Sequence, residues 1–288
     1  MHVVKMEGCG NDYVFLDDGL VAPAQDRSAQ DLSRLARRIA DRHTGVGGDG
    51  LILISPGEAA PLRMRMFNAD GSEGRLCLNG LRCAALLGRR LASLEEAFTV
   101  ETASGPRPVR VRPTGPHAAE VTVRAGRPEF RRETLPALGE GNEVWGEPFT
   151  LAGGESALGY GVSVGNPHLV LWIDAPEHLD AIDLPGTGAP LERDPRFPER
   201  INVHLAAAVG SSRLRMRSWE RGSGVTRACG SGAAAVFAVA RRLKRIGVEA
   251  AVAMPGGVVR LREEEDEALE LTGPAVEVFE GEWHASSL

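Results

Sequence analysis

A chain that carries one pattern twice folds as two copies of one unit, and this chain carries such a pattern. Leu62–Asn68 is LRMRMFN and Leu214–Glu220 is LRMRSWE, an offset of 152 residues. The same offset carries Cys77 onto Cys229, Gly80 onto Gly232, and Arg89-Arg90-Leu91 onto Arg241-Arg242-Leu243. Near that offset, GNDYVFLD from Gly10 faces GNPHLVLWID from Gly165. Two copies at this spacing are homologous halves of domain size, because a solenoid needs three or more short units. A length of 288 residues suits two domains.

Each half is expected to be strand-rich with one main helix. In the first half HVVKMEG, YVFLDD, LILIS and LRMRMFN are short β-like runs set between Gly and Asn turns. AQDLSRLARRIADR has apolar residues three and four apart and predicts an amphipathic helix. GLRCAALLGRRLA, after Cys77, predicts the main one. The second half repeats the scheme, with GAAAVFAVARRLKRIG as its helix. The middle segment, RRETLPALGEGNEVWGEPFTLAGGE, is expected to be strand and loop. The fold class expected is α+β: two homologous domains related by a pseudo-twofold axis, each strand-rich around a central helix, with an active-site cleft between them. The boundaries expected are 1–124 plus 275–288 for the first half and 125–274 for the second, with the tail crossing back.

Composition narrows the function classes. A formal charge of −6, with no basic patch interleaved with aromatics, argues against nucleic acid or an anionic membrane as partner. No apolar run reaches membrane-spanning length, and MHVVKMEGCGNDYVFLDD lacks the apolar stretch of a signal peptide, so a cytoplasmic location is expected. Four cysteines in so long a chain make no disulfide scaffold. Their spacing, without a His pair at ligand distance, makes no zinc site. No metal and no cofactor is expected. Cys9 and Cys83 are expected to be small buried hydrophobes. A homodimer is compatible with the sequence.

The other two thiols stand at the starts of helices, in LCLNGLRC and ACGSGA. The first turn of a helix has N–H groups without intrahelical partners and carries partial positive charge. Such an end can hold a carboxylate. It also lowers a thiol pKa from about 8.5 toward neutrality. With the halves face to face, the two sulfurs would flank one α-carbon. One thiolate would take the α-proton and the opposite thiol would return one to the other face, inverting the centre.

The motifs KMEGCGND, DRHTGVGGDGLILI, MFNADGSEGRLCLNGLRC, VGNPH, WERGSG and ACGSGA, in this order from Lys5 to about Glu280, resemble the diaminopimelate epimerases. These are amino-acid epimerases that work without pyridoxal phosphate. The resemblance implies that Cys77 and Cys229 are the acid–base pair. It implies that Leu78-Asn79 and Gly230-Ser231 bind the reacting carboxylate. Asn11, Asn68, Asn166 and Asn202 match substrate-binding asparagines, and Glu220 and Arg221 match acidic and basic substrate contacts. His168 and Glu220 match residues that tune the thiols. The substrate implied is LL- or meso-2,6-diaminoheptanedioate, on the route to lysine and cell-wall peptide. The assortment suits a substrate with two amino-acid ends, since Arg offers a fork for a carboxylate, Glu pairs an ammonium, and Asn both donates and accepts.

Three positions depart from the family pattern. Leu78 stands where a Gly usually follows the first cysteine, and would be strained there if a positive φ were required. Val225 stands where the family has Glu, and Gly50 where some members place a substrate-contacting Gln. Three other readings use the same residues: a related racemase or epimerase for another amino acid, a two-thiol redox protein, and a binding homologue without catalysis.

Overall fold

The computed structural model describes residues 1–20 and 28–284. Contacts divide the chain into two compact units. One is Met1–Arg124 with the described chain from Thr272 onward; the other is Ala125–Leu271. The expected return of the chain was at Ala275. Thr272 already belongs to the first unit, where its hydroxyl is 2.8 Å from that of Thr122. Positions 285–288 of the expected tail lie outside the described residues.

The first unit contains β1 (His2–Gly8), β2 (Asn11–Asp17), α1 (Ala29–Ala40), β3 (Gly50–Ser55), β4 (Leu62–Asn68), β5 (Glu73–Gly74), α2 (Leu78–Ala92), β6 (Ala97–Thr102), β7 (Gly105–Gly115) and β8 (Ala118–Gly126). The second contains β9 (Trp145–Thr150), β10 (Ser156–Ser163), β11 (Pro167–Trp172), α3 (Leu184–Glu192), β12 (Asn202–Ala208), β13 (Arg213–Glu220), β14 (Gly224–Thr226), α4 (Gly230–Arg242), β15 (Glu249–Met254) and β16 (Gly257–Glu263). The long β17 (Leu269–Glu282) begins in the second unit and ends in the first. Element for element, β1 to β8 recur as β10 to β13, β14 to β16 and the start of β17. The fold is α+β and built twice.

In each unit two crossovers are helical, as parallel pairing requires. β2 pairs with β3 in parallel across α1, and β11 with β12 across α3. β4 pairs with β6 across α2, and β13 with β15 across α4. β17–β1, β1–β2, β3–β4, β6–β7 and β7–β8 are antiparallel, as are β9–β10, β10–β11, β12–β13 and β15–β16. In the first unit β17 pairs with β1 and β8, so the series β17-β1-β2-β3-β4-β6-β7-β8 closes on itself, leaving no free edge.

The inner helices are buried nearly all round, which suits a helix enclosed by strands. α2 packs on β1 to β4 and β7, and α4 on β10 to β13, β15 and β16. The strands between an inner and an outer helix are apolar on both faces, so LILI and YVFL run without alternation. Leu51 and Leu53 cover α1, while Ile52 touches the start of α2. In the second unit Leu169, Leu171, Val203 and Leu205 cover α3. The outer helix α1 starts on a capping box, with Ser28 and Asp31 each bonding the other's backbone N–H.

One expected feature needs correction. The second half was expected to have one helix, yet α3 repeats α1. Its Pro185 sits in the first turn, where no intrahelical N–H is needed, and Asp183 caps it. Pro190 and two glycines hide it from a propensity reading.

Arg82 is fully buried on α2. It donates to the Pro274 carbonyl at 3.0 Å, to Asn79 Oδ1 at 2.9 Å and to the Leu78 carbonyl at 3.5 Å. It therefore ties the start of the inner helix to the returning strand. Arg82→Leu, which leaves those buried acceptors without their donor, is expected to lower unfolding free energy by about 2–4 kcal/mol, read by urea denaturation.

Candidate active site

Both helix-start thiols cap their helices, in the same way. Cys77 (φ −127°, ψ 117°) precedes α2, and the Gly80 N–H donates to its Sγ at 3.4 Å. Cys229 (φ −127°, ψ 107°) precedes α4, and the Gly232 N–H donates to its Sγ at 3.4 Å. A sulfur here occupies the place usually taken by a Ser, Thr or Asp oxygen. The glycines are required by crowding. A Cβ on Gly80 would lie 2.5 Å from Ile52 Cδ1, and one on Gly232 would lie 2.4 Å from His204 Cε1.

The surroundings of the two sulfurs differ. The Cys77 thiol donates to Asn11 Oδ1 at 3.3 Å, and Asn79 Nδ2 donates to that oxygen at 3.2 Å. Asn11 Nδ2 in turn donates to Asp49 Oδ2 at 2.5 Å. Asn11 is placed by a two-residue hairpin loop, Cys9 (φ 59°) and Gly10 (φ 76°), which joins β1 to β2. Cys229 donates instead to a carboxylate, Glu220 Oε2, at 3.1 Å. The other oxygen of Glu220 accepts from the Thr226 hydroxyl. Ser231 Oγ is 3.7 Å from Cys229 Sγ.

The remaining expected residues fall into two groups. Asn166 and His168 are joined, His168 Nε2 lying 2.9 Å from Asn166 Oδ1. Asn202 is buried; its Nδ2 donates to the Pro167 carbonyl and its Oδ1 accepts from the Arg221 N–H, both at 2.9 Å. It thus braces the Glu220–Arg221 corner against β11. The Arg221 side chain is exposed and donates to the Glu199 carbonyl at 2.8 Å. Asn68 lies apart in its own turn, Nδ2 donating to Ser72 Oγ at 2.9 Å, opposite Gly50 in the strand register.

Leu78 is buried as the first residue of α2 and is not among the residues with positive φ, so it carries no backbone strain. Gly50 admits no side chain, since a Cβ would lie 2.1 Å from the Phe67 carbonyl oxygen. Val225 is exposed on β14. Among the described residues no group of three His, Cys, Asp or Glu side chains could hold a metal ion, and no helix is long and apolar enough to cross a membrane. Asp49, Thr226, His204 and Ser218 were not singled out in the sequence, because their roles depend on strand register.

The expected lowering of thiol pKa does not hold for Cys229. Burial raises it well above the ordinary value, and the Glu220 carboxylate raises it further; the Gly232 N–H opposes both but does not prevail. Cys83, on the buried face of α2, is pushed up to about 12 by burial. Glu220→Gln removes the negative charge while keeping an acceptor. The Cys229 pKa should fall, with thiol alkylation at pH 8 at least about threefold faster than in the parent. A second consequence concerns stability. A thiol whose folded pKa is raised holds its proton more tightly when folded, so its contribution is full below the unfolded value, about 8.5, and declines above it. Denaturation at pH 7 and pH 10 should therefore show lower stability at pH 10, with a smaller loss in Cys83→Ala.

Comparison with known proteins agrees with the layout. The family model for diaminopimelate epimerase matches residues 3–131 and 160–278. A diaminopimelate epimerase of Geobacillus kaustophilus is 41% identical over 284 residues, covering 97% of this chain and 95% of the relative. One of Moorella thermoacetica is 40% identical over 285 residues, covering 98% and 99%. Among solved structures, a phenazine biosynthesis protein of the PhzF family from Bacillus anthracis superposes with a TM-score of 0.70 at 17% identity, covering 99% of each chain. A hydroxyproline epimerase from Agrobacterium vitis, with bound trans-4-hydroxy-L-proline, gives 0.66 at 14%, covering 98% of this chain and 91% of that one. At those identities the likeness is one of fold.

Proposed function

Since the chain belongs to the diaminopimelate epimerase family and is an isomerase converting LL-2,6-diaminoheptanedioate to the meso form in lysine biosynthesis, we propose that Cys77 and Cys229 are its acid–base pair. The observation that carries this reading is the shared geometry of the two sulfurs, each capping the first turn of an inner helix.

The reaction moves one proton off the α-carbon and one proton on, with no change of oxidation level. A thiolate on one face takes the α-hydrogen as a proton, and the bond electrons pass into the carboxylate as an enediolate. The thiol on the other face gives its proton to the same carbon. The N–H groups of Leu78-Asn79 and Gly230-Ser231 stabilise the charge that develops on the carboxylate oxygens, acting as preorganised donors. Glu220, bonded to Cys229, accepts the thiol proton when that sulfur must act as base. His168, also expected to tune the thiols, has its two ring nitrogens against Asn166 and His204, so it acts by holding Asn166 rather than by bonding a sulfur itself. Asn11, Asn68 and Asn166 bind the substrate's polar ends, Asn202 holds the Arg221 corner, Glu220 pairs an ammonium and Arg221 takes the distal carboxylate.

The chain has only four cysteines in 288 residues, too few for a disulfide framework. So low a cysteine content suits a reducing compartment, and we place the enzyme in the cytoplasm.

Purified protein in D₂O should exchange deuterium into the α-position of diaminoheptanedioate while interconverting the two isomers. Cys77→Ala and Cys229→Ala should each lower kcat by at least about 100-fold with the fold retained. Exchange only into another amino acid would overturn the substrate. Disulfide turnover without α-exchange, or full activity in either alanine variant, would overturn the two-thiol mechanism.

A further inference from the structure

The duplication supplies an internal control for one residue to which the two-thiol mechanism gives no role. Ile52 on β3 and His204 on β12 are the same position in the two copies, 152 residues apart. Each lies directly beneath the glycine that donates to the capping sulfur, Ile52 under Gly80 and His204 under Gly232. An isoleucine suffices for packing there. In the second unit the slot holds a fully buried imidazole instead. Burying a polar ring costs free energy unless it is hydrogen-bonded, so the imidazole needs partners that an isoleucine does not.

It has one at each nitrogen. His204 Nδ1 is 2.9 Å from Ser218 Oγ, and His204 Nε2 is 2.9 Å from His168 Nδ1. His168 Nε2 is 2.9 Å from Asn166 Oδ1. Both rings are buried, and burial holds both in the neutral form, so each has one donor and one acceptor nitrogen. The amide oxygen at one end fixes the direction. His168 Nε2–H donates to Asn166 Oδ1, leaving His168 Nδ1 as an acceptor. His204 Nε2–H donates to it, leaving His204 Nδ1 to accept from the Ser218 hydroxyl. Strand pairing places His168 beside Asn202, as Tyr13 lies beside Gly50. The chain Asn166, His168, His204, Ser218 therefore corresponds to Asn11, Tyr13, Ile52, Met66 in the first unit, where no such relay can form.

We infer that His204 is a positioning residue: through His168 it holds the Asn166 side chain by its inward-facing oxygen, leaving the Nδ2–H donors as the end offered to a substrate carboxylate. Asn11, the counterpart of Asn166, is fixed by other means, through Asp49 and the Cys77–Asn79 turn. This role rests on the epimerase reading for its substrate, but the hydrogen-bonded chain does not.

Two measurements test it. In ¹⁵N-histidine NMR of the intact protein, His168 and His204 should both be neutral Nε2–H tautomers. An Nδ1–H tautomer at either ring would reverse the chain, turn the amide nitrogen inward and overturn the proposal. This measurement needs no turnover, so its failure is separate from failure of the epimerase reading. The second is a double-mutant cycle. His204→Ile copies the slot of the first unit. It should raise KM for diaminoheptanedioate about tenfold, the value of roughly one hydrogen bond, and change kcat by less than about threefold. In an Asn166→Ala background the same substitution should change KM by less than about twofold. An undiminished effect in that background would make His204 merely structural and sink the inference. Should His204→Ile not fold, Ser218→Ala enters the same cycle with the same criterion.

Discussion

Everything in this fold that bears on chemistry depends on one contact made twice: a backbone N–H in the first turn of a buried helix, donated to a cysteine sulfur. Oxygen caps are common at helix starts because they satisfy an orphan donor at little cost. A thiol does so over a longer contact, 3.4 Å in each unit, and leaves a polarisable acid at the helix end. The contact requires glycine at the third helical position, because Ile52 and His204 already fill the space a Cβ would need. It also requires the helix to be held from behind. In the first unit Arg82 does this, running from the first turn of α2 to the Pro274 carbonyl.

From that shared contact the two units diverge in what they place on the far side of the sulfur. Cys77 meets a neutral amide oxygen, whereas Cys229 meets a carboxylate inside a buried environment. A carboxylate next to a thiol opposes its ionisation and at the same time offers a place for its proton. The opposing effects of Glu220 and the Gly232 N–H on Cys229 show which is stronger at rest: burial and the carboxylate outweigh the helix end. The electrostatic argument that a helix start favours thiolate is sound for an exposed cysteine. It fails here because Cys229 is desolvated.

How far the sequence foretold this architecture follows from which features are local. The repeat register is local in sequence, so the equivalence of Cys77 and Cys229, the glycines after them and the inner helices were all legible. The strands were legible for a related reason, since LILI is a short apolar run and LRMRMFN alternates apolar with charged residues, each set between turns. Helix α3 was not, because Pro185, Gly186, Gly188 and Pro190 read as loop; the signal was present in the duplication itself, which carries Ala29–Ala40 onto this stretch. The partners of the asparagines were not legible either. Asp49 reaches Asn11 from the turn before β3, 38 residues away, and Asn202 is claimed by two backbone groups before any ligand arrives. Such pairings are set by strand register across a sheet, and no local pattern encodes them.

Duplication also explains why the polar residues are distributed as they are. Two identical units would offer two identical sulfurs, adequate for a symmetric proton exchange but not for a substrate whose two ends must be told apart. The inner face of the first unit keeps Tyr13, Ile52 and Met66, and its asparagine is oriented from the solvent side by Asp49. The second unit replaces these with His168, His204 and Ser218, and orients its asparagine from within the core. A buried chain of neutral imidazoles is rigid in a way that an exposed carboxylate is not: each ring has one permitted tautomer once the amide oxygen at its end is fixed, and rotation of any member leaves a buried nitrogen unpaired. The two units thus differ in the layer under the helix starts as well as in the partner of each sulfur, Asn11 or Glu220, while the backbone of the sulfur-capped turns stays alike.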